Sequence, residues 1–182
     1  MRPEEAAEIH DFVQSRWTRL VRTAYLLTGD HGEAEDLVQT TLVKAHAAWH
    51  RVRSSDNPDA YVRRILVNAN AARFRKRRIT QLLGAAVPEA RVPDATHRVD
   101  QRDALLRALA RLPARQRAVV VLRYWDDLGE AEVARILGCS VGTVKSQAAK
   151  GLAKLRVDPG LNGPQWDSGS DDTSEVLAHG RH

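Results

Sequence analysis

One cysteine in 182 residues, Cys139, leaves no partner for an intrachain disulfide and makes a reducing compartment the natural setting. The expected location is the cytoplasm. No stretch approaches the roughly 18 uninterrupted apolar residues of a spanning helix, and the opening MRPEEAAEIHDF puts acids where an export signal needs a positive flank; no membrane insertion is expected. Strand alternation is scarce as well. The β-branched residues fall at helical spacing, and Val119-Val120-Val121-Leu122 continues the beat of its neighbours, which points to an all-α chain. Nucleotide-binding and catalytic signatures are also missing: there is no G-x-x-x-x-G-K-S/T loop, no G-x-G-x-x-G opening a helix, and no Ser-His-Asp or Cys-His pattern in context. His46 and His50 lie four apart but lack a third ligand or a cysteine pair, so no metal, cofactor or catalytic residue is expected and the chain does not read as an enzyme.

What is present is a 43% hydrophobic composition, enough for packed cores, and a formal charge of +5 with a pI of about 9.8. That charge is unevenly placed: residues 1–157 carry +9 and residues 158–182 carry −4. A basic folded part favours an acidic partner such as nucleic acid.

Periodicity divides the chain into two helical modules. A first helix is expected from about Glu5 to Leu27, with Ile9, Phe12, Val13, Leu20, Val21 and Ala24 inward and Thr28-Gly29 as its stop. Asp30, with Glu33 three residues on, starts a second helix to about Trp49; Ala34, Leu37, Val38, Thr41, Leu42, Ala45 and Trp49 share a face. HRVRSSDNPDAY reads as a polar loop, after which Asn57-Pro58 caps a third helix to about Leu83. There Tyr61, Ile65, Leu66 and Ala69 face a core, Arg63, Arg64, Asn68 and Asn70 point elsewhere, and RFRKRR closes the helix. Residues 84–100, broken by Gly84, Pro88 and Pro93, read as an interdomain linker. Helices are then expected over Arg102–Leu112, Pro113–Tyr124, Glu130–Leu137 and Val141–Arg156, with disorder in the acidic tail from Val157 onward. That tail is either a solvated overhang or a segment able to fold back on basic surfaces.

Two helices joined by Gly138-Cys139-Ser140 match a helix-turn-helix, whose second helix enters a DNA major groove. Val141, Val144, Ala148, Leu152 and Leu155 step by three and four and form the buried seam. The remaining face, Gly142, Thr143, Lys145, Ser146, Ala149 and Lys150, carries hydroxyls and cations suited to bases and phosphates, and Ser140 is placed to cap the helix. A plain helical hairpin with a solvated face is the alternative. The run Arg73–Arg78 reads as a phosphate track or as a solvated, dipole-favoured helix end. Trp49, His50, Arg51 and Arg53 make single-strand contact plausible through base stacking, with core packing the competing role for Trp49.

Three segments together, EAEDLVQTTLVKAHAAW, DAYVRRILVNANAARFRKRR and LPARQRAVVVLRYWDDLGEAEVARILGCSVGTVKSQAAKGLAKLR, resemble the extracytoplasmic-function (group 4) RNA polymerase sigma factors, the wording being closest to actinobacterial members. The resemblance implies that residues 1–83 form the domain that docks on the core polymerase clamp through Glu35, Asp36 and Gln39 and melts the minus-ten element. The loop from His50 to Asp56 would capture a flipped base, and Arg63, Arg64, Asn68 and the run Arg73, Arg75, Lys76, Arg77 and Arg78 would hold the strand. Residues 101–157 would read the minus-thirty-five element, and an anti-sigma factor is a further partner the resemblance implies. Against the family's frequent LSYEEIA, this chain has LGEAEVA, so Gly129 and Glu130 replace a capping hydroxyl and an aromatic. Ala72 and Ala149 stand where an acid and a larger side chain are usual. The function these residues imply is promoter recognition and DNA opening on behalf of the polymerase. A free-standing helix-turn-helix repressor or activator is the competing reading; it leaves residues 1–83 without a role.

Overall fold

The structure, a computed structural model, describes residues 3–82 and 97–161, and among these every regular element is a helix. The first lobe holds α1 (Pro3–Thr28), α2 (His31–Ala47), α3 (Trp49–Arg53) and α4 (Pro58–Leu82); the second holds α5 (His97–Arg111), α6 (Ala114–Val120), α7 (Glu130–Leu137) and α8 (Val141–Arg156). Gly29, at φ +79°, turns the chain out of α1 and donates its N–H to Tyr25 O at 2.7 Å. Asp30 then accepts from the Glu33 N–H at 2.8 Å as the N-cap of α2. The reciprocal half of a capping box is absent, because the Glu33 carboxylate turns to Arg73 and Arg77 on α4.

The expected loop after Trp49 is instead a short helix. Trp49 is 5% exposed and Val52 fully buried, and two apolar anchors three residues apart on one side favour a helical turn. Ser54 and Ser55 close it by donating their hydroxyls to His50 O and Val52 O. Asn57 caps α4 by accepting the Ala60 N–H at 2.9 Å. On α4 the structure corrects the sequence reading: Arg63 and Asn70, expected outward, are buried together with Val62, Leu66, Val67 and Ala69. The reason is tertiary, since α4 is covered on one side by α2 and on another by α7 of the second lobe.

Residues 84–96 of the expected linker lie outside the described residues, and its last four, 97–100, belong to α5. The helix expected to run to Tyr124 is α-helical only to Val120 and continues as a π-helical turn, Val121–Trp125. There the Asp126 N–H reaches back to Val121 O at 3.0 Å, and Asp127 takes φ +53°. The wider turn keeps Val121 and Leu122 in the core while carrying Asp126 towards α1.

Gly138, at φ +61°, ends α7, and the Ser140 hydroxyl accepts the Thr143 N–H at 3.1 Å to start α8. Val144 and Ala148 of the expected seam are buried and Leu152 and Leu155 half-buried, but Val141 is 39% exposed, standing at the first position of the helix. Gly151 belongs to the seam instead: a Cβ there would lie 2.8 Å from Val120 Cγ2, so only glycine lets α8 approach α6 this closely. Asp158, counted with the tail, is part of the fold. It takes two hydrogen bonds from Arg111, at 2.8 and 2.9 Å, and accepts the Gly160 N–H; residues 162–182 lie outside the described residues.

The two lobes pack against each other, α4 on α7 and α1 on α5, α6 and the π-helical turn, and their buried apolar residues form one continuous cluster. Arg117 ties them. Buried at 4% exposure, it donates to Leu27 O (2.7 Å) at the end of α1 and to Ala110 O (2.6 Å) and Leu112 O (3.3 Å) at the end of α5, with its guanidinium over Phe74 of α4. Burial pushes its pKa down to about 10.

Candidate nucleic-acid interface

The second helix of the helix-turn-helix, α8, presents Ser140, Gly142, Lys145, Ser146, Ala149 and Lys150 to solvent, with Thr143 half-buried behind them. Hydroxyl, ammonium and small side chains thus share one outward surface at the N-terminal half of a capped helix, where free N–H groups also favour an anion. Lys145 Nζ lies 3.6 Å from Glu130 Oε2 across the turn, a surface pair worth little on its own. α7 begins at Gly129 without a side-chain cap, and Glu130 in its first turn is an acid that competes with phosphate for Lys145.

Helical geometry sorts the cations of α4 onto three faces. Arg64, Asn68, Arg75 and Lys76 are exposed; the first three, at i, i+4 and i+11, lie along one outward stripe. Arg73 and Arg77 turn inward to Glu33: Arg73 donates to Glu33 O at 3.2 Å, and Arg77 Nη1 lies 3.3 Å from Oε1. This removes Glu33 from the outward face of α2. Arg63 sits in the seam between lobes, and the Arg78 side chain lies outside the described residues.

The residues around α3 divide likewise. His50, Arg51 and Arg53 are exposed, Arg53 lying 3.7 Å from Glu8, whereas Trp49 packs edge-on to Phe12, ring centroids 5.2 Å apart. In this conformation Trp49 is a core residue whose indole N–H has no hydrogen-bond partner, and it offers no face for base stacking.

On α2, Glu35, Asp36 and Gln39 are exposed together, and the structure adds Val43, 68% exposed, one turn further along the same side. Its signal was present in the sequence, since Val43 falls off the stripe through Val38, Thr41, Leu42 and Ala45. Glu35, Asp36, Gln39 and Val43 thus form an exposed acidic surface with one apolar side chain beside it.

The seam holds a group that sequence reasoning missed. The Asp126 side chain, 1% exposed, accepts the Thr23 hydroxyl at 3.0 Å and lies 3.6 Å from both Arg63 Nε and Arg19 Nε, while Arg19 also donates to its backbone carbonyl at 3.1 Å. Burial pushes its carboxyl above the ordinary range against the pull of Arg63, Thr23 and Arg19. Asn57 Nδ2 donates to Glu132 of α7 at 3.3 Å nearby. Beside them Arg16 is engaged by Asp59 at 2.6 and 3.1 Å.

Two helical lobes, one ending in a helix-turn-helix with an outward cationic surface and the other carrying a cationic stripe, define a DNA-binding protein of the helix-turn-helix class. Comparison with known proteins sharpens this. Residues 7–79 match the family model Sigma-70 region 2 and residues 102–155 match Sigma-70, region 4. The RNA polymerase sigma-E factor of Streptomyces avermitilis is 37% identical over 84% of this chain and 85% of that protein. The ECF RNA polymerase sigma factor SigM of Mycobacterium tuberculosis is 35% identical over 75% of this chain and 69% of its own length. Among solved structures, the sigma factor RpoE in complex with the anti-sigma factor NepR from Bartonella quintana superposes with a TM-score of 0.67 at 29% identity, covering 80% of this chain and 94% of that one. CnrH, solved with the cytosolic domain of CnrY, shares the fold, with a TM-score of 0.55 at 23% identity over 81% of this chain and 84% of that one. The chain belongs to the sigma-70 family, in the extracytoplasmic-function group of transcription initiation factors.

Proposed function

We propose that this chain binds core RNA polymerase in the cytoplasm, directs it to particular promoters and promotes melting of the DNA, with no catalytic chemistry of its own. Residues 1–83 dock on the polymerase through Glu35, Asp36 and Gln39, joined by Val43, and hold the opened minus-ten strand along Arg64, Asn68, Arg75 and Lys76. His50, Arg51 and Arg53 stand at the entrance, with Trp49 bracing them from within the core, and Arg63, Arg73, Arg77 and Arg78 add to the positive charge of this part of the chain. Residues 101–157 read the minus-thirty-five element through Ser140, Gly142, Thr143, Lys145, Ser146, Ala149 and Lys150, and residues 84–100 connect the two.

The observation that carries the reading is the pairing of two separate outward cationic surfaces in one family-matched chain: the outward face of α8 and the outward stripe of α4. A lone repressor needs only the first. An anti-sigma factor is an expected partner, because a similar sigma factor is solved in complex with one. Selection of genomic fragments by holoenzyme reconstituted from this chain and core polymerase tests the proposal. Two conserved half-elements at fixed spacing, dependent on core, are expected; binding of duplex DNA by the chain alone, with no association to core, would refute it.

A further inference from the structure

We propose that Arg19, Thr23 and Arg63 form an anion site for a backbone phosphate of the opened DNA strand, and that the closed chain fills this site with its own Asp126. The inference rests on the promoter-opening function above and adds α1 to the DNA-binding surface. The site is built, since Thr23 is 2% exposed and the Arg63 side chain 9%, both fixed by the helices that carry them. Arg16, on the wall of the same small cavity, is paired with Asp59, whose carboxylate also acts on Arg63 and Arg19, so the pair adds little net field.

The carboxylate is a poor fit for what surrounds it. Thr23 reaches Oδ1, but Oδ2 has no hydrogen bond, and both arginine Nε atoms stand off at 3.6 Å. A planar group with two oxygens leaves donors unused that a tetrahedral phosphate, with more oxygens and the geometry guanidinium groups favour, can satisfy. Asp126 arrives there only through a π-helical turn and a left-handed Asp127, so a special backbone path delivers the acid to the cations. Arg63 is at the level of Arg64 but about 100° round the helix, in the seam, so the site adds a second cationic face, shared with α1, beside the outward stripe of α4.

Promoter geometry requires the site to be vacated. The two elements lie about 25 base pairs, hence about 85 Å of straight duplex, apart. A compact body of the size described is only about 40 Å across. The lobes must therefore part for both surfaces to engage at once, and parting withdraws Asp126 from Arg19, Thr23 and Arg63.

The test is binding of a fluorescent single-stranded oligo-dT by the full chain across a salt series. Asp126→Asn should tighten binding about tenfold by removing the internal competitor. Adding Arg19→Ala should abolish that gain and reduce the salt slope by about 0.7, the value of one phosphate contact on a single strand. Should Asp126→Asn fail to fold, Glu132→Arg opens the seam from α7 by facing Arg63 with a cation and is expected to give the same Arg19-dependent gain. No gain in either opening variant, or a gain indifferent to Arg19, overturns the site. Inorganic phosphate at matched ionic strength should compete through Arg19, but far more weakly per phosphate than the strand, because it gains nothing from the α4 stripe; competition as strong per phosphate as that of oligo-dT would make this a free-phosphate site and overturn the DNA assignment. A parallel pull-down with core polymerase separates the two ideas. Intact core binding with no Arg19 effect sinks the anion site alone, whereas loss of core binding with the Arg19-dependent gain intact sinks the proposed function alone.

Discussion

Replacing Arg117 by methionine tests whether a buried cation with no carboxylate partner stabilises this fold. Two terms oppose each other. The fall of the Arg117 pKa to about 10, caused by burial, means that burying the charge costs on the order of 3 kcal/mol, which methionine would recover. Against this, Leu27 O and Ala110 O, at 2.7 and 2.6 Å, lose their donor, as does Leu112 O at 3.3 Å. These carbonyls end helices and have no onward helical partner, and an orphaned buried acceptor costs about 1–3 kcal/mol. Taking about 2 kcal/mol for Leu27 O, about 1 for Ala110 O, which belongs to an exposed residue where water can replace the donor, and about 1 for the long bond gives about 4, so the net loss is about 1 kcal/mol. The contrast with ion pairs that can be replaced by apolar residues is that here the acceptors stay behind when the cation goes. In urea unfolding followed by circular dichroism, with a slope of about 2 kcal/mol per molar, the midpoint should fall by about 0.5 M. A midpoint unchanged or raised would show that desolvation outweighs the three hydrogen bonds and would refute the reasoning.

Three further outcomes follow from the same structure. Lys150→Ala, at an exposed position on α8, should weaken holoenzyme binding to promoter duplex and reduce the salt slope by about 0.9 if it meets a phosphate; an unchanged slope assigns it to solvent. Gly151→Val should destabilise by about 1–3 kcal/mol, because Val120 is β-branched and cannot swing its methyl out of the 2.8 Å approach; thermal unfolding at equal or higher temperature would contradict this. The hydrogen bonds from Arg111 hold the Asp158 carboxyl below its ordinary value, against its burial and helped by the Gly160 N–H. The pair's stabilisation is therefore present above the ordinary carboxylate range and lost as pH falls through the lowered value. Acidification from neutral should cost the wild type more stability than Asp158→Asn, by no more than about 1 kcal/mol because Arg111 is 61% exposed; identical pH profiles would refute the pairing.

The sequence by itself determined the longer helices, their caps at Asp30, Asn57 and Ser140, and the outward face of α8, because capping and 3.6-residue periodicity are local properties of neighbouring side chains; it missed the short α3 and the π-helical turn after α6. It also marked the cations of α4, though not their partners. Only the tertiary structure decided that Arg63 is buried, that Arg73 and Arg77 turn to Glu33, and that Trp49 belongs to the core, since each depends on which helix lies opposite. Asp126 is the clearest case. A π-helical turn leaves no periodic signal, and the residues that meet it, Thr23 and Arg63, are 103 and 63 positions away along the chain, so only lobe packing brings them together.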